Sequence, residues 1–325
     1  MVKPASLTEP PVRGHGGKRP ILVTGAPRSG TTFLGTVLSL NRGVSFIYEP
    51  MSRVYGLRDV PDPLLYVRAG SSYEPTAERM TRDLLAGRGQ FRKPPPDAAA
   101  ASRPRAIARR MLGSEVSLRY RRDALNPLRR RWLVKDPWAA MSSEWLHRQL
   151  GMQTVVLVRH PVPVVRSWQR FGWDMRIQEL MAIDELMADH LGPLVEGVDV
   201  DALDPVENAA LVWRAYYFVL NRYLDRNPEM IAVRHEDLSA RPAEVLQALY
   251  RDLDLDFDHR VQARVASYTG AGNQVTTSGE TLHELRRDSA AVATQWRRDV
   301  DPAERDKIRR WVEPEASRWY SDDEW

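Results

Sequence analysis

Residues 20 to 32 read Pro-Ile-Leu-Val-Thr-Gly-Ala-Pro-Arg-Ser-Gly-Thr-Thr, and no other stretch of this chain restricts its fold so tightly. An apolar run, Ile21 to Val23, enters a turn bent by glycine and proline, and a helix-forming stretch follows from Thr31 to Leu40. Strand, loop and helix in that order aim several backbone N–H groups and a helix N-terminus at one point, which suits an anion. The loop of the nucleotide triphosphatases reads G-x-x-x-x-G-K-[ST], its lysine reaching the β- and γ-phosphates. Gly25 and Gly30 keep that glycine spacing, but Thr31 stands in the lysine position and the cation is Arg28, inside the loop.

The rest of the chain fits an α/β fold around such a loop. Short apolar runs at Ile21–Thr24, Val44–Tyr48, Trp132–Val134, Thr154–Val158 and Met230–Val233 alternate with helical segments, the pattern of a parallel sheet. The expected architecture is a P-loop-type three-layer sandwich, a central parallel sheet flanked by helices. Asn208–Leu224 has the apolar spacing of a helix packed on that sheet, and Leu238–Leu253 predicts another. Leu57 to Arg131 differs, with a Pro94-Pro95-Pro96 break, an alanine run and arginine clusters at Arg119–Arg122 and Arg129–Arg131. It reads as a mostly helical insertion or lid. Its arginines are either a solvated helix face or a basic surface toward substrate. Residues 1–18, rich in Pro and Gly, read as a disordered leader, 19–325 as a single domain and 267–325 as its C-terminal helical segment.

Bulk composition sets limits. The chain has 325 residues, 43% hydrophobic and 28% charged, enough for a proper core. A net charge of +4 does not demand a nucleic acid partner. Only five of the 47 basic residues are lysine, so a single arginine says little and Lys135 stands out. Cysteine is absent, which excludes disulfides, a thiol nucleophile and cysteine-ligated zinc. No run of about 18 apolar residues predicts a membrane span, and no signal-peptide core is evident. A cytoplasmic location is expected.

A second constellation lies in Thr154-Val-Val-Leu-Val-Arg-His-Pro-Val-Pro-Val-Val-Arg-Ser167. A buried strand ends at Arg159, two prolines pre-set a helix, and Ser167 falls about two turns into it. Arginine supplies a planar fork and serine a hydroxyl, so both can address one phosphate.

Together, Pro27-Arg-Ser-Gly-Thr-Thr-Phe-Leu34 and Val158-Arg-His-Pro-Val-Pro-Val-Val-Arg-Ser167 resemble the paired cofactor motifs of sulfotransferases. That family moves a sulfuryl group from 3′-phosphoadenosine-5′-phosphosulfate (PAPS) to a hydroxyl or amine. The resemblance, over roughly Pro20 to Trp296, implies that Arg28, Ser29, Gly30, Thr31 and Thr32 grip the 5′ end. It gives Arg159 and Ser167 the 3′-phosphate. Tyr48-Glu49-Pro50 is similar to carbohydrate sulfotransferases and Val134-Lys-Asp-Pro137 to the tyrosyl-protein enzymes, which implies a hydroxyl-bearing acceptor, with glycan or glycolipid favoured. The implied product is 3′-phosphoadenosine 5′-phosphate (PAP). Such a donor needs no metal, which accounts for the missing loop lysine.

Transfer to an alcohol needs a general base. Cytosolic sulfotransferases resemble one another in a Lys-x-His segment, which here reads Lys135-Asp136-Pro137, so the base falls to Glu49. Apolar Phe46, Ile47, Tyr48 and Pro50 around it are expected to raise its pKa by burial. The competing reading of Glu49 is a helix cap or an arginine partner. By the resemblance, Lys135 reaches the bridging oxygen of the donor, while Asp136 is read as the cap of a helix near Trp138. Arg234-His235-Glu236-Asp237-Leu238 resembles a segment that supports the fold near the adenosine. Arg286, Arg287 and Trp296 are the nearest equivalents of the family's C-terminal nucleotide loop, with Ser278 and Ser289 as further donors. Two other functions stay open at this point, an ATP-dependent kinase and a non-catalytic nucleotide- or polyanion-binding module.

Overall fold

A computed structural model describes residues 18–61, 64–92, 115–127, 129–270 and 294–325. The leader before residue 18, the Pro94–Pro96 break with its alanine run, Arg286, Arg287, Ser278 and Ser289 lie outside the described residues.

Five strands form one parallel sheet: β1 Ile21–Thr24, β2 Val44–Tyr48, β3 Arg131–Lys135, β4 Gln153–Val158 and β5 Ile231–Arg234, in the spatial order β2-β3-β1-β4-β5. Every run read from the sequence forms a strand, shifted by a residue or two at three of them. Parallel strands need a crossover between each pair, and helices supply it. These are α1 Thr31–Leu38, α2 Glu74–Leu85, α3 Glu115–Ala124, α4 Ser143–Gln149, α5 Pro161–Arg170 and α6 Pro205–Arg226. After β5 come α7 His235–Ala240, α8 Pro242–Asp252, α9 His259–Thr269, a short turn at Trp296–Asp299 and α10 Pro302–Val312.

Strand periodicity buries both faces of the sheet. Ile21, Val23, Leu133, Val155 and Leu157 point one way, onto Leu34, Val37 and Leu38 of α1 and Leu246, Leu249 and Tyr250 of α8. Leu22, Val134 and Ile47 point the other way, onto α2 and α4. Val156 and Val158 meet α5 and α6 on that second side. The result is three layers.

The helix expected over Leu238–Leu253, with Ser239 or Arg241-Pro242 near its start, begins at Pro242 as α8, and Leu238–Ala240 instead end α7, because Arg241 at φ −134°, ψ 58° breaks the backbone between them. A proline disfavours helical geometry in the residue before it. Register fixes the working edge: Tyr48 pairs with Lys135, Val23 with Lys135, and Thr24 with Val156. Thr24, Tyr48 and Lys135 therefore end within a residue of one another, β4 runs two residues further to Val158, and the residues that follow these ends lie at the same edge of the sheet. That is where ligands bind in open α/β sheets. β2 lies at the sheet edge, so β3 separates Glu49 from the phosphate loop, and the two meet across Lys135.

Candidate active site

The loop from Gly25 to Gly30 turns β1 into α1 in a shape that only glycine allows at both ends. Gly25 and Gly30 have φ of 146° and 101°. A Cβ would sit 2.3 Å from the Leu157 carbonyl at the first and 2.8 Å from the His235 ring at the second. Arg28 shares the left-handed region at φ 71°, an uncommon setting that the loop enforces. Trp168 Nε1 holds the loop from behind, donating to the Pro27 carbonyl at 3.1 Å. Helix α1 starts at Gly30 with no side chain capping it, so its first N–H groups face the loop's concavity with the positive end of the helix dipole.

The second motif meets the first at this point. Arg28 Nε donates to Ser167 Oγ at 3.0 Å, and Arg159 Nη1 donates to the Arg28 carbonyl at 3.0 Å. The Arg28 guanidinium lies 4.5 Å over the Phe171 ring and 5.9 Å from that of Trp173. Two arginines, a hydroxyl and a helix N-terminus thus form one cationic corner. In this arrangement the Arg28 side chain lies with Ser167, on the side the sequence assigned to the 3′-phosphate.

Long-range bonds fix the strand end that carries Arg159. On α6, Trp213 Nε1 donates to the Arg159 carbonyl and Tyr217 OH to the Leu157 carbonyl, both at 3.0 Å. His160 N–H donates to Glu236 Oε1 at 3.0 Å, and Tyr320 OH donates to Glu236 Oε2 at 3.1 Å. The Arg234–Leu238 segment therefore supports the fold beside Arg159. Trp296, 8% exposed, stacks on the His160 ring at 4.4 Å, and Tyr320 and Trp325 close around the same imidazole. Burial, with Arg297, Arg234 and Arg159 nearby, keeps His160 well below its ordinary pKa. Trp296 adjoins the cationic corner through His160.

The other half of the site follows β2 and β3. Glu49, at φ 43°, donates its N–H to the Lys135 carbonyl at 2.8 Å. Its carboxylate accepts from Lys135 Nζ on Oε1, and from Tyr55 OH and Trp138 Nε1 (3.3 Å) on Oε2. Lys135 is 2% exposed, and its ammonium lies 4.2 Å over the Tyr48 ring. The Tyr48 phenol in turn hydrogen-bonds Thr32 at the start of α1.

Burial pushes the Glu49 pKa up, but Lys135, Tyr55 and Trp138 together outweigh it and hold the carboxyl below its ordinary value. This corrects the expectation of a raised pKa. Phe46, Ile47 and Tyr48 do bury the carboxylate, yet the adjacent strand supplies a cation that the flanking sequence does not show. Burial depresses the Lys135 ammonium, opposed by Glu49, and the Arg28 charge depresses it further, so the two halves of the site sense each other. Burial and the Glu49 charge push the Asp136 carboxyl up to about 8. Asp136 accepts from Met51 N at 2.5 Å and Trp138 N at 2.9 Å, capping the turn Pro137–Ser142. That is the capping role read from the sequence.

The structure thus brings together Arg28, Ser29, Gly30, Thr31, Thr32, Arg159 and Ser167 on one side and Glu49 with Lys135 on the other. Sequence reasoning missed Tyr55, Phe171 and the indole of Trp138. Nothing in the spacing ties an aromatic on the turn after Glu49 to that carboxylate. Among the described residues, no group of three or more His, Cys, Asp or Glu is placed to hold a metal ion. Among them too, no helix is long and apolar enough to cross a membrane.

The sequence model of the sulfotransferase family matches residues 20–259, a span that holds both phosphate motifs, Glu49 and Lys135. The chain belongs to the sulfotransferase family. This sulfotransferase is accordingly an enzyme of sulfuryl transfer, acting on a hydroxyl-bearing acceptor. No protein of curated function matches it by sequence. Among solved structures it is similar to the sulfotransferase domain from the curacin biosynthetic pathway, at 18% identity and a TM-score of 0.46, covering 93% of this chain and 97% of that one. It is similar also to the sulfotransferase domain of the Synechococcus PCC 7002 olefin synthase, at 20% identity and a TM-score of 0.42, with 94% and 96% covered. Mouse sulfotransferase SULT7A1, complexed with PAP, is 11% identical with a TM-score of 0.42, and 98% and 90% are covered.

Proposed function

We propose that this sulfotransferase takes its sulfuryl group from PAPS and passes it to an acceptor hydroxyl by in-line displacement, with Glu49 as general base. The observation that carries this reading is the junction of Arg28, Ser167 and Arg159 at an uncapped helix N-terminus. Cationic donors from two distant motifs converge there, as a nucleotide with phosphate at both its 3′ and 5′ positions requires. Arg159 and Ser167 hold the 3′-phosphate. Ser29, Gly30, Thr31 and Thr32 hold the 5′ end, and Arg28 joins the two grips. Trp296 supports the nucleotide through His160; Arg286 and Arg287 are assigned to the nucleotide on the resemblance alone.

Bound there, PAPS supplies the sulfuryl group. Glu49 is ionised at neutral pH and accepts the proton of the attacking hydroxyl. Lys135, paired with Glu49 in the free enzyme, neutralises charge that develops on the departing 5′-phosphate, and Arg28 adds to it. No metal takes part in this scheme. A cytoplasmic location fits the cysteine-free chain, and a glycan or glycolipid acceptor is what the Tyr48-Glu49-Pro50 resemblance supports.

The test is transfer of radiolabel from PAPS to components of a crude extract, resolved by molecular weight. Wild-type protein is expected to label a defined species. Glu49→Gln should lower the rate by roughly 10²–10⁴-fold, the usual share of a general base, while PAP binding persists. Undiminished transfer by that variant sinks the base assignment.

A further inference from the structure

Asp136 is wholly buried, and each of its polar groups engages a neighbour of the site. Its N–H donates to the Val23 carbonyl at 2.9 Å, and its carbonyl accepts from Thr24 Oγ1 at 2.7 Å. Both partners lie on β1, directly before the phosphate loop. Its carboxyl serves the base instead. Oδ2 accepts from the Met51 N–H at 2.5 Å and Oδ1 from the Trp138 N–H at 2.9 Å. Met51 lies two residues past Glu49, and the Trp138 indole donates to Glu49 Oε2 at 3.3 Å.

Resting on the PAPS-dependent reading above, we propose that Asp136 is a positioning residue for the transfer, one that fixes where Glu49 stands relative to the loop that holds the donor. Topology creates the need. Glu49 follows β2 and the phosphate loop follows β1, with β3 between them and Asp136 at its end. Asp136 is therefore bonded by its backbone to the donor side and by its side chain to the base side. Glu49 has a left-handed φ of 43°, a setting that persists only where the surroundings over-determine it. The Met51 bond to Asp136 and the Glu49 N–H bond to the Lys135 carbonyl supply that constraint.

The arrangement also explains why the residue is an aspartate. Two oxygens accept from two N–H groups at once, whereas an asparagine has one accepting oxygen and turns an NH2 group toward the second N–H. Asp136→Asn therefore loosens either the turn after Glu49 or the backbone of Trp138. In-line displacement is sensitive to such a shift, since a misplacement of about 1 Å can cost about 10²-fold in rate.

A double-mutant cycle between Asp136→Asn and Glu49→Gln tests the proposal. Radiolabel transfer from PAPS to a crude extract at fixed concentration is followed with PAPS varied, and PAP affinity is measured by calorimetry. Asp136→Asn is expected to lower kcat roughly 10–100-fold, with KM for PAPS and PAP affinity unchanged. In the Glu49→Gln background the same substitution is expected to lower kcat no further, because residues that act as one unit are not additive. Losses that multiply overturn the proposal, since a merely structural residue harms both backgrounds alike. An unchanged kcat in Asp136→Asn overturns it too, and both results leave the donor reading standing. Absence of PAP binding by the wild-type protein fails the donor reading, and the proposal with it. If Asp136→Asn does not fold, Thr24→Val decides. That variant keeps the side chain's shape and removes the hydroxyl bond to the Asp136 carbonyl. It is expected to lower kcat roughly fivefold, the worth of one hydrogen bond, and to have no effect in Glu49→Gln. An unchanged kcat, or an equal loss in both backgrounds, overturns the proposal.

Discussion

Glu49 and Asp136 are buried side by side, yet their carboxyls titrate in opposite directions. Glu49 has an ammonium and two further donors, whereas Asp136 has two backbone N–H groups and the repulsion of Glu49. For Asp136 the native pKa of about 8 lies above its ordinary 3.8. The folded state therefore penalises its ionisation, and this residue lowers stability progressively as pH rises from about 4 to about 8. Glu49 has the reverse sign: its contribution is present above its ordinary pKa of 4.5 and is lost as pH falls through the lower native value. Asp136→Asn removes the first titration and keeps one accepting oxygen. The expected result is a smaller decline in Tm between about pH 4 and about pH 8 than in wild type, measured by calorimetry. A parallel decline in both proteins contradicts the assignment. Which residues matter at this corner was legible in the chain, since Glu49 closes an apolar strand and Lys135 is one of five lysines. The direction of the Glu49 shift was not, because it depends on a strand partner 86 residues away.

At the scale of elements, the phosphate loop and its helix were readable because glycine spacing, proline and an apolar run leave few alternatives. Gly30→Ala tests that reading. The substitution puts a Cβ 2.8 Å from the His235 ring at φ 101°, a strained backbone that costs about 1–3 kcal/mol. PAP affinity is expected to fall with it, and Gly30→Ala combined with His235→Ala should recover only the steric part of the stability, as read by urea unfolding. Full recovery would mean that backbone conformation is not the constraint. Strand ends were legible to within a residue or two, since apolar runs mark where β1 to β5 cross the core. Strand order was not. Nothing in Val44–Tyr48 says that it pairs with Arg131–Lys135 at the sheet edge. The division of α7 from α8 was half visible, as Pro242 was evident while the Arg241 backbone was not.

Over the whole molecule, the anion corner depends on a brace from the second layer. Helix α6 begins with a capping box at Asp204 and Glu207 and buries Trp213, Tyr216, Tyr217 and Tyr223 against the sheet. Their polar tips mostly grip backbone: Trp213 holds Arg159, Tyr217 holds Leu157, and Tyr223 OH donates to the Met141 carbonyl at 2.8 Å. Asn208–Leu224 was read as a helix packed on the sheet, and its aromatics do pack there; their hydrogen bonds to strand ends were beyond any spacing rule. Trp213→Phe leaves the Arg159 carbonyl without its indole donor and opens a small cavity. It is expected to cost about 2–4 kcal/mol in stability and to weaken PAP binding, although Trp213 is read as touching no part of the nucleotide. Unchanged PAP affinity in a destabilised variant would show that the brace serves the core alone.

The central claim is that two sequence motifs form two phosphate grips on one nucleotide. Calorimetric titration of magnesium-free protein with PAP and with adenosine 5′-phosphate, repeated on Arg159→Ala, tests it most directly. A charge-assisted hydrogen bond contributes about 1.5–3 kcal/mol, so PAP should bind roughly 10–100-fold more tightly than the analogue that lacks the 3′-phosphate. That advantage should vanish in Arg159→Ala. Equal affinity of the wild-type protein for the two nucleotides would contradict the account.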